Sequence, residues 1–433
     1  MSAITNSKAA AAGGASIGRA RVYGVIFLLV AVAIVLVFVR LSAPEQVTTF
    51  VLNPSGVTQA IPVPDLVFPS QLALWALAVA CAFIGGWQLA LGFRRMNLAL
   101  AIVAVVFVLA FLIWAARDNT LNMTVLLSST LLRATPIALA ALSGVLCERC
   151  AVINIAIEGM MLTGAFSSAL LASMARNIWA LPDGAALLIG LLGAVVGGGL
   201  LGLALAVLAV RFKVDQIVAG TAINIFAAGI TSFLGARILS EFQDLNNTPI
   251  FQRTSIPILS KIPIVGPILF EQNLLVYLLF ILIFAIHVTL FYTRWGLRTR
   301  AVGEHPKAAD TLGVDVFKTR YVNVTLGGVV AGLAGAFLVL GSVGRFDELM
   351  SAGKGFIGLA AMIFGKWMPF GAFGAALIFG FADTLQTRLA ILSVPIPSQF
   401  LLMAPYLVTM VALAGVVGEA SAPAADGKPY EKE

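Results

Sequence analysis

The sequence predicts an all-α polytopic membrane protein with about twelve transmembrane helices, eleven spans plus one short or re-entrant segment. Three observations predict it. Of the 433 residues, 60% are hydrophobic and 11% charged, and the mean hydropathy of +1.01 lies far outside the range of a soluble domain. Apolar windows close to the roughly 20 residues needed to cross the hydrocarbon core recur along nearly the whole chain. The 27 Lys and Arg punctuate the connections between these windows and do not cluster on one face, so the net charge of +7 does not point to nucleic acid.

In chain order, spans are expected at 22–40, 71–91, 98–116, 121–146, 151–174, 185–210, 217–236, 273–292, 320–341, 371–390 and 399–417. The first follows a small, weakly basic start and has no small-residue cleavage site behind it, so it reads as a span and not as a removed signal peptide. The apolar piece GFIGLAAMIFG at 355–365 is too short to cross straight, and is either a tilted span or a re-entrant segment. If it crosses and the N-terminus is cytoplasmic, most of the basic residues fall on inside connections, as the positive-inside rule requires. Both termini are then cytoplasmic; re-entry would place the C-terminal tail outside.

This organises the chain into a cytoplasmic tail (1–21), an extension of three spans with an external loop at 41–70 (22–120), a core (121–417) and a second cytoplasmic tail (418–433). The external connections 41–70 and 237–272 are rich in Pro and polar residues, which predicts caps with little regular structure. The polar end EASAPAADGKPYEKE predicts disorder. Gly recurs at four-residue spacing within spans, as in Gly193 with Gly197, Gly198 with Gly202 and Gly328 with Gly332. In lipid, where apolar surfaces gain nothing by leaving the solvent, such stripes let backbones pack closely.

The chain lacks the parts of an engine. No G-x-x-x-x-G-K-S/T phosphate loop occurs, and IFGKW at 363–367 has Trp where a magnesium-binding hydroxyl is required. His287 and His305 form no metal-spaced pair, and no G-x-S-x-G elbow is present. Cys147 and Cys150 make a C-x-x-C on a turn, but without a second pair they read as small residues in a tight turn. No catalytic residue, metal ligand or cofactor is therefore assigned to this chain.

The longest cytoplasmic connection, 293–319, carries the punctuation of a short helix: His305 as a cap, Pro306 in the first turn, AADTL as the body and Gly313 just past the end. Ala309 and Leu312 are expected on one apolar side. So short a helix is marginal alone in water and needs a partner surface.

ERCAVINIAIEGMMLTGAF at 148–166, GLRTRAVGEHPKAADTLGVDVFKTRY at 296–321 and SAGKGFIGLAAMIFGKWMPFGAFGAALIFGFADTLQTRL at 351–389 carry a family likeness. Over about 121–417 the chain resembles the permease subunits of ABC importers for nucleosides and simple sugars, a superfamily that includes ribose-type and branched-chain amino acid permeases. The resemblance implies an ABC importer permease fold in the bacterial cytoplasmic (inner) membrane, with residues 121–417 as permease core. It implies a non-catalytic subunit, with ATP and Mg bound on a partner ABC ATPase subunit. It further implies a second permease subunit, paralogue or self, and an external substrate-binding lipoprotein that delivers the small-molecule substrate. Carried over, the coupling helix that receives the ATPase falls on Glu304, His305, Pro306, Lys307, Ala308, Ala309, Asp310, Thr311, Leu312, Gly313 and Val314. Nucleosides are the first expectation as substrate, with simple sugars or branched-chain amino acids as the alternative. The chain departs from the pattern at Cys147 and Cys150, and at Ala151 and Ala156 where relatives commonly carry Gly.

Glu158 is an acid inside an apolar run, and an ionisable group there costs about 2.5 to 3.5 kcal/mol unless it faces a partner or water. Asn154 stands four residues before it and, within one helix, would share its face. Two readings follow. Glu158 holds the bundle together by bonding to Arg133 or to freed amides near Gly159; or Asn154 and Glu158 line the translocation path, with Asn224, Asn323, Asp383 and Gln386 as further candidates to meet ribose hydroxyls or base edges. A buried acid also suits an ion-coupled secondary transporter, the rival of another class.

Overall fold

A computed structural model describes residues 21–53, 63–391, 403 and 421–432. The chain divides into two compact units, Met1–Val125 with Thr387–Pro397 and Leu126–Gln386 with Ser398–Glu433.

In the first unit, helices α1 (Arg21–Val39), α2 (Ser70–Ala90) and α3 (Met96–Ala115) are long and apolar enough to cross a membrane. α1 and α2 keep only a narrow inner stripe, whereas α3 is buried all round at its end, Leu112 to Ala115. On α1 it is Phe27, Ala31, Ile34 and Phe38, and on α2 it is Leu74, Ala78, Cys81 and Gly85, spacings of three and four that put each set on one helix face. The loop expected to lack regular structure instead contributes a small sheet. β1 (Val47–Val51) pairs antiparallel with β2 (Leu66–Pro69) and parallel with β3 (Thr120–Asn122). Its two-residue alternation buries Thr48 and Phe50, and the Thr48 hydroxyl bonds the Ser70 hydroxyl at 2.7 Å. Strands this short, flanked by Pro and Ser, carry the same residues as a turn.

The second unit holds most of α4 (Met123–Glu148), all of α5 (Ile157–Asn177), α6 (Asp183–Arg211), α7 (Gln216–Leu239), the short α8 (Val265–Leu269), α9 (Leu274–Tyr292), α10 (Arg294–Glu304), α11 (Pro306–Thr311), α12 (Val316–Val343) and α13 (Lys354–Phe364), and most of α14 (Pro369–Ile391). Among the described residues nine helices have the length and composition of membrane spans, so this is a multi-pass membrane protein. In their most apolar stretches α4, α5 and α12 are 72%, 67% and 78% buried, whereas α6, α7 and α9 are 39%, 28% and 33% buried. The first three are therefore the inner helices. Their contacts use the expected glycines: a Cβ on Gly202 of α6 would lie 2.9 Å from Gly328 Cα of α12, and one on Gly164 of α5 would lie 2.6 Å from Gly332 Cα. Only hydrogen fits at these crossings.

The 355–365 piece resolves into α13, about 16 Å long and so roughly half a membrane thick. The chain reaches it from α12, whose far end meets the 237–272 connection through Thr248 N–H donating to Gly344 O and Phe251 N–H donating to Leu340 O. Residues 344–353 then descend as irregular backbone. Beyond α13, the Trp367 indole N–H donates to the Glu148 carboxylate at 2.6 Å, at the last residue of α4. Irregular backbone and half-helix together carry the chain from one end of the bundle to the other, and α14 returns. The expected span at 399–417, apart from Met403, and the N-terminal residues 1–20 lie outside the described residues.

The tail expected to be disordered is placed over residues 421–432. Ala425 N–H donates to Gly303 O at 3.0 Å, and Tyr430 is buried with Val302, Ala309 and Val316. A polar composition concealed one well-seated aromatic.

Candidate functional site

The site starts where α4 stops. Ala151 adopts φ +66°, and the N–H groups of Cys150 and Val152 fold back onto Cys147 O, so the chain reverses immediately after Glu148 and Arg149. Residues 152–155 run back into the bundle without helical bonds, and α5 begins only at Ile157, after Ala156. Asn154 and Glu158 therefore do not share a helix face, contrary to the expectation from their spacing. Non-helical backbone is tolerated at such depth only if its polar groups find partners in the protein. Here α7 supplies them. Gln216 Oε1 accepts from Ile153 N–H at 2.7 Å, Asn224 Nδ2 donates to Ile155 O at 2.8 Å, and Asn224 Oδ1 accepts from Gly159 N–H at 2.7 Å. Gly220, midway between those two side chains, lets the unwound segment lie flat: a Cβ there would come within 3.1 Å of Ala156 N and Ile155 Cβ. Gln216, Gly220 and Asn224 form a four-residue stripe that the sequence carries but that only its distant partner makes meaningful.

Glu158 occupies the first turn of α5 and points at the first turn of α13. Its Oε1 accepts from the Ser351 hydroxyl at 2.5 Å and from Gly353 N–H at 2.8 Å, while Oε2 accepts from Gly355 N–H at 2.6 Å. Two helix N-termini, each carrying partial positive charge, thus converge on one carboxylate. Gly353 has φ +79°, and a Cβ on Gly355 would lie 2.6 Å from Glu158 Oε2, which explains the S-A-G-K-G sequence at this turn. The partner of Glu158 is neither Arg133 nor the Gly159 amide. Arg133 instead pairs with Asp383 at 2.9 Å, joining α4 to α14.

The remaining candidates are dispersed. Asn154 is buried, with Nδ2 3.3 Å from Cys147 Sγ and 3.5 Å from Ser143 Oγ, and its Oδ1 has no hydrogen-bond partner among the described residues. Asn323 donates to Thr319 O at 2.8 Å and to Thr299 Oγ1 at 3.2 Å, tying α12 to α10. Gln386 lies half-buried on α14, one turn beyond Asp383. Of the six, only Asn154, Glu158 and Asn224 gather around one feature, the unwound segment. A cleft of about 590 Å³ at the opposite end, lined by Arg176, Asp183, Thr248 and Gln252 among others, includes none of them. Burial pushes the Cys150 thiol up to about 12, and its Sγ–H donates to Cys147 O at 3.0 Å. It is a packed thiol.

The candidate docking segment follows α9. Thr293 Oγ1 caps α10 by accepting from Gly296 N–H at 3.2 Å, a helix that residue-level reading of the connection did not separate from the loop. His305 breaks α10 from α11 at φ −147°, and its side chain makes no capping bond, against expectation. Pro306 takes the first helical position and Gly313, at φ +81°, follows the end, both as expected. Asp315 then caps α12 by accepting from Lys318 N–H at 2.9 Å. Ala309 and Leu312 do not share a side: Ala309 is buried, and Leu312 is 84% exposed because the helix ends at Thr311, before it. The outward surface of the segment consists of Glu304, His305, Lys307, Ala308, Thr311, Leu312 and Gly313.

Comparison with known proteins agrees with this architecture. The family model described as branched-chain amino acid transport system / permease component matches residues 126–416. The guanosine ABC transporter permease protein NupQ of Bacillus subtilis is 42% identical over 314 residues, which cover 72% of this chain and 97% of NupQ. The nucleoside ABC transporter permease protein NupC of Lactococcus lactis is 39% identical over 321 residues, 72% of this chain and 98% of NupC. A putative glucose ABC transporter permease protein of Haloferax volcanii, TsgC13, is 33% identical over 267 residues, 61% of this chain and 77% of its own. No solved structure matches the chain. The family match covers Glu158, its partners at 351–355 and the segment around α11, so the chain belongs to the branched-chain amino acid transport system / permease component family.

Proposed function

We propose that this chain is the membrane permease subunit of an ATP-driven importer for nucleosides in the bacterial cytoplasmic membrane. The observation that carries the reading is a preformed short helix, α11, held at one end of the bundle with Leu312 standing free beside it. The names of NupQ and NupC support nucleosides as the cargo. In this reading a separate ATPase subunit binds ATP and Mg and docks on residues 304–314, and the permease itself catalyses nothing. A second permease subunit, identical or paralogous, completes the path, and an external lipoprotein delivers the substrate. In this reading both termini are cytoplasmic, and for the C-terminus the support is that the tail at 421–432 lies against α10 and α12 at the α11 end. The cluster of Asn154, Glu158 and Asn224 acts as the gate region, where one carboxylate pins the half-helix α13 to the start of α5 and a rearrangement of three hydrogen bonds would free α13.

Proteoliposomes containing the chain with its ATPase and binding protein test this reading. ATP-dependent uptake of guanosine that survives collapse of the proton gradient is expected. Uptake driven by the gradient without ATP would establish the secondary transporter instead, and preference for glucose or leucine over guanosine would replace the substrate.

A further inference from the structure

Residues 423–432 touch every element that meets at the α11 corner. Ala424 N–H donates to Glu304 Oε2 at 3.2 Å and Ala425 N–H to Gly303 O at 3.0 Å, both on α10. The Tyr430 hydroxyl donates to Asp310 Oδ2 at 2.8 Å and Lys432 Nζ approaches Asp310 Oδ1 at 3.4 Å, both on α11. On α12, Arg320 Nη1 donates to Lys428 O at 3.0 Å, and the Phe317 and Tyr430 rings lie 5.4 Å apart. Glu431 pairs with Lys213, on the turn between α6 and α7, at 2.6 Å. Arg320 is buried beneath the tail, which brings it the Lys428 carbonyl as acceptor and the Asp426 carboxyl nearby, while its Nε and Nη2 have no hydrogen-bond partner among the described residues.

We propose that the C-terminal tail is a strap that immobilises the coupling helix, with Tyr430 as its positioning residue. A six-residue helix between Pro306 and Gly313 has too few internal bonds to keep its own orientation. Force applied to its outward face would be dissipated in bending at His305 and Gly313. The strap closes that corner from behind, through Ala309 and Asp310, so that displacement of α11 moves α10 and α12 as one body. Because the strap occupies the inner side of α11, it leaves Leu312 outward. The proposal rests on α11 as the ATPase-docking element, but its first test does not.

Four full-length forms in lipid nanodiscs provide that test: wild type, Tyr430→Phe, Tyr430→Ala and a deletion of 421–433. Amide hydrogen exchange over 301–313 is expected to accelerate about tenfold or more in Tyr430→Ala and in the deletion, and to stay near wild type in Tyr430→Phe, which keeps the ring. Unchanged exchange in both Tyr430→Ala and the deletion would overturn the strap. In complex with the ATPase, the same two forms are expected to transport fewer molecules per ATP hydrolysed while still hydrolysing ATP. A transport-to-hydrolysis ratio equal to wild type, with exchange accelerated, would overturn the role in coupling. If wild type itself shows no ATP-driven uptake, the proposed function fails while the exchange measurement still decides the strap.

Discussion

Replacing Glu158 tests the geometry most directly, because its carboxylate is the acceptor for two backbone amides of another helix, Gly353 and Gly355, and for the Ser351 hydroxyl. In Glu158→Ala both amides lose their acceptor in a buried site, and an orphaned buried N–H costs about 1 to 3 kcal/mol, so the pair costs about 2 to 6 kcal/mol. The Ser351 hydroxyl can rotate and contributes less. In Glu158→Gln the amide oxygen can keep the two donors now on Oε1, while the new NH₂ group faces Gly355 N–H donor to donor. One orphan, about 1 to 3 kcal/mol, is then expected. The loss is local to the first turn of α13, so it appears as faster hydrogen exchange at 353–358 in nanodiscs. About thirtyfold or more is expected for Ala, and a smaller acceleration for Gln. Uptake of guanosine should fall in the same order, with both variants still inserted in the membrane. Unchanged exchange in Glu158→Ala, or Gln as damaging as Ala, would refute the assignment of this carboxylate to the start of α13.

Gly198→Leu places a Cβ 2.6 Å from Gly332 Cα, so α6 and α12 must separate; a loss of at least about 1 to 3 kcal/mol should appear as a lower Tm in detergent. Ala151→Gly relieves a left-handed residue that costs roughly 1 to 2 kcal/mol, and should raise Tm by about 2 °C. Deletion of 306–312 is expected to abolish co-purification of the ATPase and ATP-driven uptake while guanosine binding by the lipoprotein persists. Burial pushes the Asp426 carboxyl up to about 6 from its usual 3.8, so the docked tail binds more protons than the free tail between those values. Tail docking should therefore weaken as pH rises through that window, read as faster proteolysis of 421–432, and Asp426→Asn should flatten the dependence. Below about 4.5 an opposing effect sets in, because the hydrogen bond and charge of Lys213 hold the Glu431 carboxyl below its ordinary 4.5, and that contribution is lost as pH falls.

Much of the scaffold was legible because lipid imposes a single rule on composition. Spans such as Leu274–Tyr292 and Gln216–Leu239 begin or end within a few residues of where apolar windows place them. The ends of α11 were legible from Pro306 and Gly313, whose backbone restrictions act without help from the rest of the fold. Other features depend on partners far along the chain. Ile, Ala and Val at 152–157 are equally apolar in a helix or an extended segment, so nothing local announces that α5 starts late. The small sheet needs Thr120–Asn122 to sit beside Val47–Val51, and the tail needs the corner of α10, α11 and α12.

The polar residues within the spans reveal a rule that composition alone does not. A membrane chain that leaves the helix exposes N–H and C=O groups that lipid cannot satisfy, and each break must recruit a polar side chain from a neighbour. Asn224 satisfies one carbonyl and one amide of the break before α5, Gln216 satisfies a third group, and Glu158 satisfies two amides of the break before α13. Asn323 bonds within and between regular helices, and Asp383 forms an ion pair that joins α14 to α4. A lone amide or acid in a span therefore has two structural uses to be separated before any contact with cargo is assigned to it. The separation has a mechanical meaning here. Residues that staple breaks hold the segments able to move, whereas residues that join regular helices hold the frame, so variants of Glu158 and Asn224 should reduce uptake more, for a given loss of stability, than variants of Asn323. Equal losses of uptake at all three positions, in proportion to stability, would show that the breaks are frame and not gate.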